Sequence, residues 1–178
     1  STHRPDIVLV ILESFTGHIL DMPEVMPRLK ALSEEGIYFP HFYANSFRTD
    51  RGLVSILSGY PAQPTASIMK SPSKSQSLPA IARSLRKVGY DTEMIYGGDA
   101  DFTNMRSYFY ATGYGRVMSC DDFTTEENSA RWGVPDHITF PRVEKEIARQ
   151  TARPFMKTFL TLSSHEPFDV PMSRLEHP

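Results

Sequence analysis

The chain has 178 residues, 40% hydrophobic and 22% charged, a length that suits one domain or a large piece of one. Its 19 Lys and Arg against 21 Asp and Glu give a formal net charge of -2, which argues against a generally basic nucleic-acid binder. Prolines and glycines spread along the chain exclude a coiled coil and a low-complexity polymer.

The first predicted element is Ile7-Val8-Leu9-Val10-Ile11-Leu12, a continuous aliphatic run that reads as a parallel-sheet strand buried on both faces. It is also the longest apolar run, far too short to cross a bilayer. The opening residues do not read as a signal peptide, so any export or anchoring element is expected to lie outside this sequence or never to have existed. Pro27 to Gly36 carries apolar positions at helical spacing and ends on a glycine stop. Ile37 to Ala44 is aromatic-rich and reads as extended, and Thr49 to Leu57 reads as a helix ending at Ser58-Gly59. Pro61 to Pro79, rich in Pro, Ser and Lys, reads as a surface loop. From there the rhythm is regular: a helix from Leu78 to Val88, a strand from Thr92 to Tyr96, and a helix from Phe102 to Thr112 closed by Gly113. Cys120, without a second cysteine, excludes an intrachain disulfide and a thiolate cluster. A helix from Asp136 to Thr151 and a strong strand from Phe155 to Leu162 follow, and Arg174 to Pro178 offers no evident final element. Strands alternating with helices predict βαβ units, hence one α/β domain with a mostly parallel sheet sandwiched by helices.

Open parallel sheets place their sites beyond the carboxyl ends of the strands. Three segments deliver polar groups there. Glu13 follows six apolar residues directly; it is either paired with a cation or hydrogen-bond network, or a strand-end glutamate reaching solvent. Thr49 falls where a helix begins, beside free backbone N–H groups and the positive end of the dipole, which suits a phosphate or sulfate. It also sits at an ordinary N-cap position, and the capping-box Glu or Gln three residues on is absent. A threonine hydroxyl needs a metal or base to become a nucleophile, and Glu13 can help hold such a metal. His165 lies just beyond the last strand, in the place that corresponds to Glu13 on the first; it is a donor, proton carrier or metal ligand, or a loop histidine packed on Pro167 and Phe168. Arg106 can contact phosphate or sulfate bidentately, or be a surface helix arginine.

Taken together these segments resemble the catalytic domain of the lipoteichoic acid synthase family, within the sulfatase and alkaline-phosphatase-like superfamily. The matching pieces are Ile7 to Phe15, Asn45 to Gly59, Gly97 to Arg106, Trp132-Gly133-Val134-Pro135-Asp136 and Ser164-His165-Glu166-Pro167, in family order from end to end. The resemblance implies that Thr49 is the nucleophile and, with Glu13, a ligand of one divalent cation, commonly manganese. It implies that Arg106 and His165 bind the phosphate and glycerol portion of a lipid donor such as phosphatidylglycerol. A phosphoglyceryl-threonine would form and pass its group to a glycan or lipid-linked acceptor hydroxyl, or to water. It also implies an extracytoplasmic domain tethered to the membrane by segments absent from this chain, which would itself be a soluble fragment.

Two departures from the family pattern carry consequences. The family's metal site also uses an adjacent Asp-His pair on a later strand. Asp136-His137 follows Trp132-Gly133 and begins a helix, where Asp136 reads as an N-cap. The chain, residues 1–178, is therefore expected to be the N-terminal part of a larger catalytic domain, with an incomplete metal site and no activity alone. Phe102-Thr103-Asn104 also lacks the tryptophan often found near that arginine in the family. Competing expectations are a phosphoethanolamine transferase, a sulfatase, and a catalytically silent domain binding anionic lipid head groups or glycans. Formylglycine sulfatases need Cys/Ser-x-Pro-x-Arg, from which Thr49-Asp50-Arg51-Gly52 departs.

Overall fold

Four strands form the sheet in the computed structural model, which describes residues 3–22 and 24–174. They are β1 (Ile7–Ile11), β2 (Asp91–Tyr96), β3 (Arg116–Met118) and β4 (Phe155–Leu160). Their order is β1-β4-β2-β3 and every pairing is parallel. Parallel neighbours need crossover connections, and helices supply them: α1 (Pro27–Glu35), α2 (Thr49–Ser58), α3 (Pro72–Ser75), α4 (Ile81–Lys87), α5 (Met105–Ala111) and α6 (Asp136–Arg149). The expectation of a parallel α/β sandwich therefore holds. Residues 175–178, read from sequence as lacking a final element, lie outside the described residues.

Side chains alternate across the pleat, and the two faces bury different helices. Met94, Val117 and Leu160 pack with Leu53, Val54 and Leu57 of α2, Ala82 of α4, and Tyr108 and Phe109 of α5. Ile95, Met118 and Phe159 pack on the other face against Val143 of α6. On that second face Lys157 of β4 stands opposite Glu93 of β2 in register, and the two buried side chains form an ion pair. Arg116 continues the network from Glu93 (2.7 Å) to Glu146 of α6 (3.0 Å), which Arg142 also holds at 2.9 Å.

Three local expectations change. β1 is not buried on both faces: it lies at the sheet edge, where Val8 and Val10 are 47% and 42% exposed, while Leu9 and Ile11 pack on the α2 face. The strands buried on both sides are the two central ones: all six residues of β4 are buried, as are Thr92 to Ile95 of β2. Ile37 to Ala44, read as extended, joins no strand of the sheet and forms no helix, and its Phe39, Phe42 and Tyr43 are exposed. The Pro61–Pro79 connection is more than a surface loop, because it carries Met69 into the core. The helix expected from Phe102 breaks at Thr103 and Asn104, both at positive φ, so α5 starts at Met105. β3 has no counterpart among the sequence expectations, since three residues led by an arginine carry too little pattern. Among the described residues no helix is long and apolar enough to cross a membrane.

Candidate active site

All four strands run the same way, so their carboxyl ends meet at one edge; Ile11 and Tyr96 both pair with Leu160 there. The chain leaves β1 into Glu13 and β4 into Thr161, and the Glu13 N–H donates to Thr161 Oγ1 at 2.9 Å, tying the two exits together. Arg48 is the extended N-cap of α2 and provides no side-chain cap, so Thr49 is the first helical residue. Its hydroxyl is not used for capping. Thr49 Oγ1 instead donates to Glu13 Oε1 at 2.8 Å, an oxygen that also accepts from Ser14 Oγ at 3.3 Å. Residues 36 apart in sequence thus join at the start of a ten-residue helix whose dipole favours negative charge.

A cavity of about 280 Å³ opens over this pair. Its polar lining includes Glu13, Arg48, Thr49, Asp50, Tyr96 and His165, and Phe47, Phe102, Met105, Trp132 and Leu162 give it apolar walls. Glu13, Thr49 and His165 are therefore brought together as the sequence placed them. Arg106 is not among the lining residues. Its guanidinium is held by Asp101 (2.9 Å), Asp121 (2.8 Å) and Ser119 (3.1 Å), and the hydrogen bond to Asp101 leads the causes that raise its pKa. Arg48, by contrast, lines the cavity and makes no ion pair among the described residues.

Sequence reasoning passed over Arg48 and Tyr96. Arg48 was legible as the basic neighbour of Thr49. Tyr96 ends β2 at the same edge, and the missing Cβ of Gly98 leaves space for its ring: a carbon there would lie 2.3 Å from the phenol. Burial raises the Tyr96 pKa well above the ordinary phenol value, with the charges of Glu13 and then Asp99 adding to it. These effects all favour the protonated phenol, which can donate a hydrogen bond.

Asp136 does not act as the N-cap expected for it. Pro135 holds that position, and the Asp136 carboxylate reaches across to accept from the backbone N–H of Leu162 (2.8 Å) and Ser163 (2.9 Å). Burial raises its pKa, outweighing these hydrogen bonds. The reason is tertiary: α6 starts beside the exit of β4, whose orphan N–H groups are the better partners.

Glu13 and Thr49 offer two hard oxygen donors, the type suited to manganese or magnesium. The described residues contain no cluster of three or more His, Cys, Asp or Glu side chains placed to complete such a site. The two donors fit a hard divalent cation in kind but do not by themselves make up a full coordination shell.

Comparison with known proteins places this geometry in context. A family model described as Sulfatase matches residues 5–174. Lipoteichoic acid synthase 2 of Bacillus subtilis (strain 168) is 28% identical over 174 residues, covering 92% of this chain and 26% of that protein. A solved protein in the alkaline phosphatase superfamily from Vibrio parahaemolyticus superposes with a TM-score of 0.85 at 28% identity, covering 97% of this chain and 44% of that one. The lipoteichoic acid synthase LtaP from Listeria monocytogenes shares the fold, with a TM-score of 0.82 at 21% identity, covering 98% of this chain and 45% of that one. The chain thus spans about a quarter of the length of the curated relatives it matches.

Proposed function

The chain belongs to the sulfatase family, and from that premise we propose that it contributes the nucleophile half of a phosphoglycerol transferase, as the N-terminal part of one sulfatase-like catalytic domain. The observation that carries this reading is the 2.8 Å hydrogen bond from Thr49 Oγ1 to Glu13 Oε1 beneath a cavity that Arg48 and His165 also line. The similarity to a lipoteichoic acid synthase supports a phospholipid donor such as phosphatidylglycerol, a glycan or lipid-linked acceptor, and work at the extracytoplasmic membrane face.

In the first step Thr49 passes its proton to Glu13, and its oxygen attacks the donor phosphorus. The Oγ1–P bond forms as the P–O bond to the lipid alcohol breaks, and the departing oxygen takes a proton from water. Arg48 and the N-terminus of α2 neutralise charge on the non-bridging oxygens, and the Tyr96 hydroxyl donates to one of them. In the second step the acceptor hydroxyl gives its proton to His165 and attacks phosphorus, the Oγ1–P bond breaks, and Glu13 returns its proton to Thr49 Oγ1. Glu13 and Thr49 would hold one divalent cation, with manganese as the assignment. When bound, it would stabilise the deprotonated threonine oxygen.

The test uses the full-length protein with labelled phosphatidylglycerol and manganese. A glycerophosphoryl adduct on Thr49, found by mass spectrometry and absent from Thr49→Ala, is the expected result. No adduct, with Thr49→Ala turning over like the wild type, would sink the assignment.

A further inference from the structure

The Trp132-Gly133-Val134-Pro135-Asp136 motif has no part in the transfer steps above, yet it bonds to the loop that carries His165 at both ends. Asp136 accepts from the N–H groups of Leu162 and Ser163, and its own N–H donates to Ser163 Oγ at 2.8 Å. Trp132 Nε1 donates to the Glu166 carbonyl at 2.7 Å, and the Arg131 N–H donates to Asp169 Oδ2 at 2.8 Å. The motif is itself fixed to the end of β2, because the Val134 N–H donates to the Gly97 carbonyl at 2.8 Å and Val134 is fully buried.

The shared carbonyl decides a chemical state. His165 Nδ1 lies 2.8 Å from the same Glu166 oxygen that Trp132 holds. That oxygen carries no hydrogen and has two lone pairs, so both nitrogens must approach it as donors. A neutral imidazole with its proton on Nδ1 keeps the lone pair on Nε2. The indole and imidazole rings also pack with their centroids 4.9 Å apart, which limits rotation of the histidine.

We propose that the Trp132–Asp136 segment is a positioning clamp for His165, holding its loop at both ends and its ring in the Nδ1–H tautomer, so that Nε2 is the base available to substrate. Trp132 and Asp136 act through His165 and are positioning residues. The proposal rests on the reading that His165 meets the acceptor hydroxyl. Trp132 is 40% exposed, so Trp132→Phe keeps an aromatic ring and removes the N–H with little risk to folding. Asp136→Asn keeps the shape and only one of the two acceptor oxygens.

Long-range proton–nitrogen NMR on histidine-labelled full-length protein reads the tautomer without turnover. The wild type is expected to show Nδ1–H at His165, and Trp132→Phe a mixture of both tautomers. Transfer kinetics on the same proteins are expected to show kcat lowered about tenfold in Trp132→Phe, with KM changed little and the pH profile shifted, the scale at which a group that orients a reactive side chain acts. Asp136→Asn should lower kcat in the same direction. A wild-type Nε2–H tautomer, or a tautomer unchanged in both variants, overturns the clamp. A tautomer lost with transfer kinetics unchanged upholds the clamp and overturns the assignment of His165 to substrate.

Discussion

Replacing Gly133 by alanine tests how rigidly the clamp is fastened to the sheet. Gly133 sits at φ +140, and a Cβ there would fall 2.2 Å from the Gly97 carbonyl oxygen, 2.7 Å from Gly98 Cα and 2.9 Å from the Gly97 carbonyl carbon. All three are backbone atoms that no rotamer change can move aside. Holding a non-glycine residue in so sparsely populated a region costs about 1–3 kcal/mol, and forcing two packed backbones apart costs about as much again. The sum is about 4 kcal/mol, and at roughly 2–4 °C per kcal/mol for 150–250 residues unfolding together the expected fall in Tm is about 12 °C. Thermal unfolding followed by circular dichroism measures it. Gly17→Ala is the control, because nothing lies within 4 Å of a Cβ at that position. A Gly133→Ala protein melting within about 2 °C of the wild type would refute the reasoning, because it would mean that the Gly97–Gly133 approach is easily relaxed.

Two further predictions concern charge. Arg48→Ala should lower transfer by tenfold or more with an almost unchanged Tm, since loss of a cation facing developing charge costs about 1.4 kcal/mol or more; Arg106→Ala should lower Tm through its lost contacts with Asp101 and Asp121. Equal losses of transfer with Tm unchanged in both would return the phosphate contact to Arg106. Glu146 and Asp136 should tilt the pH dependence of stability in opposite senses. Burial pushes Glu146 up, but hydrogen bonds and charge from Arg142 and Arg116 outweigh it and leave its pKa below the ordinary carboxylate value. Its contribution is present above the unfolded pKa and lost as pH falls through the lowered folded value. Asp136, raised by burial, contributes stability below its unfolded pKa that is lost as pH rises through the folded one. Urea midpoints measured across the acid range should therefore show a shallower acid-side loss in Glu146→Gln and a shallower loss on raising pH in Asp136→Asn; slopes parallel to wild type in both would refute the assignment.

Much of the fold was legible because long apolar or amphipathic segments carry their own period. The ends of β2 and α2 were readable to within a residue, and Glu13, Thr49 and His165 stood out because each follows a strand or opens a helix. Features set by neighbours were not legible. The aliphatic run of β1 is as apolar as that of a central strand, and its place at the edge depends on which strands pair with it. Arg106 read in sequence as a phosphate contact or a surface helix arginine, and only the fold brings Asp121 to within 2.8 Å of it. Asp136 had the spacing of an N-cap, but the β4 exit competed for its carboxylate.

The sequence by itself determined the class of fold, the strand ends that bear chemistry, and the presence of a hydroxyl and a carboxylate suited to one another. Those properties are local, written in periodicity and in the residue that follows each apolar run. Only the tertiary structure decided that Thr49 bonds Glu13 rather than capping its helix, that Arg48 lines the cavity without an ion pair among the described residues, and that one carbonyl orients both Trp132 and His165. Hydrogen bonds and ion pairs are settled by which groups the packed chain brings within about 3 Å, a distance that sequence separation does not measure.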